Sequence, residues 1–536
     1  MNNKKYFIPV LFILLVIGIL IGMKIQNVFS DDKISEQVRK FNEVLSITSR
    51  YYVDDVDTQK LTEDAIKGML EHLDPHSVYI NAEQLKRVNE DFQGSFEGVG
   101  IEFDVINDTL TVVAPISGGP SERLGIMSGD KIVKINGVSA IKITREDVQK
   151  KLRGAKGTKV KVTIIRPGSY QPIEFEITRD KIPLYSVDAS FMYDDEIGYI
   201  KVSRFSANTY DEFMQAANRL KASGMKKLLL DLRGNPGGFL DQAFKMASEF
   251  IEKDKMIVYT ESRIRQFNEE FVSTGGSMTD IPLIILVNGG SASASEIVSG
   301  AVQDWDRGLI VGQTTFGKGL VQRQFDISDG SALRVTTARY FTPAGRLIQK
   351  PYEGNKYANL PDDERLEPGD NIDHTKEMED STRKEFKTFG GRTVYGGGGI
   401  TPDFIIVQDT LTMYSVQIRR LNLIYEAVEH YMVNNKKTIE STYGTYNRFM
   451  REYEVPDELF EGLTTLASSK DIAYDYEAIK RDENFLKTSI KSQIARDLWG
   501  EEGRFAVFMY SDDQFRKAVT LFDDAIELSK LNDRSN

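Results

Sequence analysis

The chain contains no cysteine. That absence excludes thiol catalysis, cysteine-ligated metal centres and disulfides, and it is compatible with an oxidising compartment without requiring one. Histidine is scarce: His72, His76, His374 and His430 are the only four in 536 residues, and no H-E-x-x-H motif occurs. A zinc hydrolase is therefore disfavoured. Positive charge is in deficit, with a net charge of −12 and a pI of about 5.2, which argues against a nucleic-acid partner. Only one hydrophobic run is long enough to span a bilayer: residues 6–23, preceded by Lys4 and Lys5 and closed by Lys24. At about 1.5 Å per residue it reaches roughly 27 Å, close to the hydrocarbon thickness. No small-x-small cleavage site follows, and without cysteine there is no lipoprotein signal. Residues 1–30 are expected to form an uncleaved signal anchor, with the rest of the chain outside the cytoplasm in the cell envelope. A cleaved signal peptide is the alternative.

What the chain does possess is concentrated in residues 288–322, NGGSASASEIVSGAVQDWDRGLIVGQTTFGKGLVQ. An apolar strand (281–287, IPLIILV) enters a turn of small residues rich in serine, and a helix-like run follows. A second apolar strand (309–311) then leads to one lysine in a glycine-flanked turn. A serine and a lysine on neighbouring strand ends are the minimum parts for nucleophilic hydrolysis without histidine. The helix start adds backbone N–H groups and positive dipole where an oxyanion would form. Upstream, residues 228–240 (LLLDLRGNPGGFL) read as a strand ending at Asp231 and Arg233, a glycine-rich turn, and then a helical pattern over 242–250. The glycines permit close backbone approach. Asp231 and Arg233 read as residues that orient this loop.

These turns resemble the active-site region of the C-terminal processing proteases, also called tail-specific proteases. The resemblance implies that Ser293, three residues before Glu296, is the nucleophile and that Lys318 of T-F-G-K-G is the general base. It makes Gln322 the residue that positions Lys318 by hydrogen bonding. The backbone N–H groups of Gly238 and Ala294 become the oxyanion donors. No metal and no nucleotide cofactor is implied. The chemistry has a cost: a free lysine titrates at about 10.4, and lowering that by about 3 requires roughly 4 kcal/mol of destabilisation of the ammonium. Phe316, Leu320 and Val321 offer an apolar wall, and no acidic residue lies within four positions of Lys318.

Rival readings of the same residues are weaker. Residues 312–319 (GQTTFGKG) fall one short of a phosphate-binding loop, because Gly319 stands where a hydroxyl should be and the following LVQRQF alternates like a strand. No histidine falls in sequence between the strands around the serine, which gives a Ser-His-Asp triad little support. The S-x-x-K matches at Ser128/Lys131 and Ser139/Lys142 fall within the turn GIMSGDKIVKINGVS and its continuation.

That turn (125–139) is a strong PDZ signature, and residues 94–180 read as a PDZ domain. Strands are expected over 100–103, 109–113, 159–165 and 173–178, with helices near 120–124 and 145–152. Such a domain adds a peptide as an extra strand and holds its terminal carboxylate in a backbone nest. The loop Gly98, Val99, Gly100 and Ile101 occupies the nest position.

The expected whole is a multidomain α+β chain. It comprises the anchor (1–30), a helical segment (31–93), the PDZ domain (94–180), a protease core (181–408) and a C-terminal helical region (409–536). For the core, the resemblance implies a crotonase-like α/β (ββα) architecture. The core carries a polar insertion at 351–397, expected as an exposed loop, and the C-terminal helices leave self-association, adaptor binding and control of access open. The expected activity is serine endopeptidase action near exposed C-terminal tails, on protein or peptide substrates with free C-termini. A catalytically silent PDZ scaffold, or an acyl hydrolase on the same residues, are the alternatives.

Overall fold

The computed structural model describes residues 32–166, 169, 171–357, 368–374, 383–407 and 410–533. The predicted anchor therefore lies outside the described residues. Among those described, no helix is long and apolar enough to cross a membrane. The chain divides into two compact units, residues 1–74 and 75–536. The first holds the helices Asp32–Tyr51 and Thr58–Leu70. The second of these begins on Asp57, whose carboxylate accepts the Lys60 N–H at 3.0 Å and so satisfies one of the orphan donors of the first turn.

In the larger unit, the strand Ser95–Gly98 pairs antiparallel with Asp180–Pro183, which ties together the entry and exit of the PDZ fold. Between them lies a six-stranded antiparallel sheet in which Ile101–Ile106 is an edge. The strands Lys159–Ile165 and Ile173–Thr178 and the helix Arg145–Leu152 fall where their patterns predict. Period-2 alternation drives the inner face: Val160, Val162 and Ile164 are almost fully buried while Lys159 and Lys161 face solvent.

A seven-stranded sheet carries the serine turn. Its order is Val187–Met192, Ile197–Val202, Lys227–Asp231, Leu283–Val287, Leu309–Gly312, Phe404–Ile405 and Gly369–Asp370, with the five inner strands parallel. Both faces are covered, so its strands read as continuous apolar runs instead of alternating ones. Leu228, Leu230, Ile285, Val287 and Ile310 pack with the helices Thr209–Ala222, Leu240–Ser248 and Ala294–Asp304. Leu229, Ile284, Leu286, Leu309 and Val311 point the other way, into a core shared with the C-terminal helices. A second sheet is built around Ala332–Phe341, which pairs with Val78–Ile80, Met256–Glu261 and Leu320–Asp326.

The C-terminal region is thus the second cover of the central sheet. Its helices include Met413–Arg420, Leu423–Tyr443, Asp457–Ser469, Tyr476–Ser511, Asp513–Val519 and Phe522–Asp533, the fourth broken at Gly500 (φ 70°, ψ −160°). The insertion at 351–397 departs from the expected exposed loop. Among its described residues are Gly369–Asp370 at the sheet edge and the hairpin Glu385–Lys387 with Thr393–Tyr395. Arg392 is buried and meets Asp306 at 2.6 Å and Asp403 at 2.8 Å. Polar sequence marks buried ionic partners here, and carboxylates so deep require them.

Candidate active site

The serine turn begins where the strand Leu283–Val287 ends. Asn288 Oδ1 accepts the N–H groups of Gly234 at 2.8 Å and Gly290 at 3.0 Å. Ser291 Oγ donates to the Leu232 carbonyl at 2.8 Å and accepts the Asn288 N–H at 3.0 Å. Ser293 then takes φ 55°, ψ −110° immediately before the helix Ala294–Asp304. A positive φ in a residue with a Cβ costs about 1–3 kcal/mol and persists only where surrounding bonds over-determine it. Every residue of the following helix is buried.

Glu296 supplies that over-determination. Its carboxylate is fully buried, and Oε2 accepts the Ser293 N–H at 2.8 Å and the Lys318 N–H at 2.9 Å. Oε1 accepts the Gly317 N–H at 2.7 Å and the Thr315 hydroxyl at 2.6 Å. Burial pushes the carboxyl up to about 7, against the lowering effect of these four donors. The Tyr340 hydroxyl donates to the Lys318 carbonyl and lies within reach of the Ser293 carbonyl at 3.2 Å. Burial, reinforced by the nearby Glu296, raises the Tyr340 phenol well above its ordinary range, so it remains a proton donor. The serine turn and the lysine turn are therefore fastened by one carboxylate and one phenol.

The glycine-rich loop packs against this pair. The Asn235 carbonyl accepts the Ala292 N–H and the Ser295 hydroxyl, both at 2.9 Å, and its Oδ1 accepts the Gly237 N–H at 2.9 Å. Gly237 has φ 93°, and a Cβ there would meet the Ala292 carbonyl at 2.7 Å, the Ala294 nitrogen at 2.8 Å and Ser293 Cβ at 2.8 Å. Gly238 bridges in parallel to Phe205 through the bonds of its neighbours, Phe205 N–H to the Gly237 carbonyl and Phe239 N–H to the Phe205 carbonyl. Among the described residues, the N–H groups of Gly238 and Ala294 have no hydrogen-bond acceptor.

Each predicted residue has a definite place. The backbones of Ser293 and Lys318 meet at Glu296, and Gly237 packs against Ser293 and Ala294. Leu320 is buried beside the lysine turn, and Phe316 and Val321 are half-buried. Gln322 donates its amide N–H groups to the Leu320 carbonyl at 3.2 Å and to Thr336 Oγ1 at 3.3 Å. It braces the strand Leu320–Asp326 at a bulge between Val321 and Gln322. In the PDZ fold, the Gly100 carbonyl accepts the Ile116 N–H at 3.0 Å. The Val99 carbonyl accepts the Ser121 N–H at 3.2 Å and the Ser121 hydroxyl at 2.6 Å. Gly98, Val99, Gly100 and Ile101 are buried at the start of the sheet's edge strand, whose Glu102 and Asp104 also bond Arg496 and Asn422 of the C-terminal region.

Sequence reasoning missed Glu296 and Tyr340 as parts of the site. The S-A-S-E spacing of a capping box was a signal for Glu296; Tyr340 had none. No acidic residue near Lys318 was expected from local sequence, yet the fold brings Glu296 to its backbone.

Four family models match the chain. Residues 196–354 match peptidase family S41, residues 111–166 a PDZ domain, residues 22–84 the activating protease CtpB N-terminal domain, and residues 414–500 a family of unknown function. The carboxy-terminal-processing protease of Bartonella bacilliformis is 39% identical over 319 residues, covering 59% of this chain and 73% of that protein. The carboxy-terminal processing protease CtpA of Bacillus subtilis is 37% identical over 329 residues, covering 61% and 70%. Among solved structures, the photosystem II D1 C-terminal processing protease is 30% identical, covers 61% of this chain and 93% of that one, and has a TM-score of 0.33. With 39% and 37% identity to the Bartonella and Bacillus proteases, 73% and 70% of which it covers, joined to the S41 and PDZ matches, the chain belongs to the carboxy-terminal processing proteases and is a serine-type peptidase.

Proposed function

We propose that Ser293 and Lys318 form the catalytic pair of an endopeptidase that cuts proteins near exposed C-terminal tails. The observation that carries this reading is the shared Glu296 oxygen, which holds the backbone of both residues in one place. Ser293 Oγ attacks the scissile carbonyl carbon while neutral Lys318 Nζ takes its proton. The negative oxygen of the tetrahedral intermediate receives the N–H groups of Gly238 and Ala294, each such donor being worth about 2.7–4 kcal/mol. Collapse breaks the C–N bond, and the leaving amine takes the proton from Lys318. Water then attacks the acyl-serine ester and gives a proton to Lys318, which passes it to Ser293 Oγ as the ester C–O bond breaks, releasing the new carboxylic acid and restoring Ser293. Gln322 assists from a distance, by bracing the strand that follows Lys318.

The edge strand Ile101–Ile106 and the loop 98–101 support recognition of a free C-terminus by strand addition. Residues 6–23 support attachment to a membrane with the catalytic part outside the cytoplasm. The test uses the chain lacking residues 1–30, incubated with an unfolded protein carrying a free apolar C-terminus, with products read by mass spectrometry. Cleavage by wild type but not by Ser293→Ala or Lys318→Ala is expected, since both remove parts of one unit. Undiminished turnover in either variant would end the assignment. A wild type that binds the tail and leaves it intact would favour a scaffold, and cleavage of simple esters alone an acyl hydrolase.

A further inference from the structure

The C-terminal helical region reaches the glycine loop through a single buried arginine. Asp512 lies between the helices Tyr476–Ser511 and Asp513–Val519, and its carboxylate caps the second by accepting the Phe515 N–H at 2.7 Å. The same carboxylate takes Arg233 Nη1 at 3.0 Å on both oxygens, and Gln514 Oε1 takes it at 2.9 Å. Gln514 is held in turn by its own bond to the Ile406 carbonyl at 2.7 Å. The other edge of the guanidinium meets Asp231, with Nη2 to Oδ2 at 2.7 Å and Nε to Oδ1 at 3.1 Å. Asp231 is shared: it also accepts the Arg233 N–H at 2.9 Å, the Tyr199 hydroxyl at 2.8 Å and Lys201 Nζ at 3.1 Å. Arg233, Asp231 and Asp512 are all buried.

We propose that Asp512, assisted by Gln514, is a positioning residue for catalysis: through Arg233 it sets where residues 234–238 lie against Ser293. The inference rests on the proposed role of that loop in binding the oxyanion. Backbone bonds tie the loop to the serine turn, Gly234 N–H to Asn288 Oδ1 and the Ala292 N–H and Ser295 hydroxyl to the Asn235 carbonyl, and Asn235 Nδ2 reaches the Val202 carbonyl. Gly234 (φ 68°), Gly237 and Gly238 add no side chain, so the charged side chains at its near end are Arg233 itself and Lys201, which donates to the Arg233 carbonyl. Its far end is fixed by the bridge to Phe205 and its near end by Arg233. Two cations, Arg233 and Lys201, are balanced here by two carboxylates, Asp231 and Asp512. Removing the charge of Asp512 leaves surplus positive charge in a buried place, which drives the guanidinium toward water and carries the loop's near end with it. Displacements of about 1 Å at a reacting centre cost on the order of 100-fold in rate.

The test compares wild type, Asp512→Asn, Asp512→Glu, Ser293→Ala and Leu463→Ala, all lacking only residues 1–30. Leu463 is buried in the helix Asp457–Ser469 and serves as a control for loss of stability in the same region. Asp512→Asn is expected to lower kcat by about 10- to 100-fold with KM within about two-fold. It should weaken binding of a peptide boronic acid, a tetrahedral anionic mimic, by the same factor, and Asp512→Glu should recover part of both. Leu463→Ala should lower the melting temperature and leave kcat at 25 °C unchanged. If Asp512→Asn does not fold, Gln514→Met, which keeps volume and removes one acceptor from Arg233, is expected to reduce kcat by about 3- to 10-fold. A kcat within two-fold of wild type in the folded variant, with Ser293→Ala inactive, overturns the positioning role. So does a loss of activity that Leu463→Ala reproduces. Cleavage by Ser293→Ala would instead strike the underlying assignment, and the proposal would fall with it.

Discussion

Ser293 and Lys318 donate their backbone N–H groups to the same atom, Oε2 of Glu296, at 2.8 and 2.9 Å. A serine in a strained conformation and a lysine from a separate turn are thus held by a third residue that contributes no proton to the proposed chemistry. Placement of the proposed pair rests on this carboxylate together with the Tyr340 phenol.

Glu296→Gln keeps the shape of that side chain and replaces one acceptor oxygen with an N–H₂ donor. Whichever way the amide turns, at least one backbone N–H faces another donor, that of Gly317 on one side or those of Ser293 and Lys318 on the other, and each buried unsatisfied group costs about 1–3 kcal/mol. Peptide cleavage is expected to fall at least about 100-fold, measured as kcat/KM, with Ser293 and Lys318 both still present. Activity within three-fold of wild type would contradict the role given to Glu296.

The raised carboxyl of Glu296 fixes the sign of a pH effect. Its folded pKa of about 7 exceeds the ordinary value of 4.5. The folded state therefore retains a proton that the unfolded state has lost between these values. Stability from this group is fully present below about 4.5 and is lost as pH rises through about 7. Against Glu296→Gln, the wild-type unfolding free energy should fall on the order of 3 kcal/mol across that window and then level off. Denaturant unfolding at a series of pH values checks this, and a difference that stays constant or rises would refute it.

Gly237→Ala places a Cβ within 2.8 Å of the Ala292 carbonyl, the Ala294 nitrogen and Ser293 Cβ, at a φ of 93°. The loop and the serine turn cannot both keep their positions. A loss of at least about 2 kcal/mol of stability and of nearly all activity is expected. Thermal melts and a cleavage assay read both.

Ser293→Gly and Ser293→Ala are both expected to be inactive, but they should differ in stability. Alanine keeps the Cβ and with it the strain at φ 55°, whereas glycine adopts that conformation freely. The glycine variant should be the more stable by about 1 kcal/mol. Equal melting temperatures would mean that the turn stores no strain at this residue.

What the sequence disclosed follows from which interactions leave a local pattern. The helix Arg145–Leu152 and the strands Lys159–Ile165 and Ile173–Thr178 carry periodic burial over a few residues, so their limits were readable. The serine turn announced itself because small residues and a capping glutamate stand together. The bonds that assemble the site have no such signature. Glu296 meets Thr315, Gly317 and Lys318 across 19 to 22 residues, and Arg233 meets Asp512 across 279. The insertion misled for a related reason: Arg392 looks like surface charge until Asp306 and Asp403 close around it. Gln322 was placed by resemblance alone, and its bonds to Leu320 and Thr336 depend on a bulge that sequence does not reveal.

The most direct measurement of the central claim is covalent labelling with a peptidyl phosphonate that reacts only with an activated serine. Intact-mass and peptide mapping would follow wild type, Ser293→Ala and Lys318→Ala. The account predicts one adduct on Ser293 in wild type, none in Ser293→Ala, and labelling of Lys318→Ala slowed at least about 100-fold. An adduct on another serine, or labelling of Lys318→Ala at the wild-type rate, would contradict it.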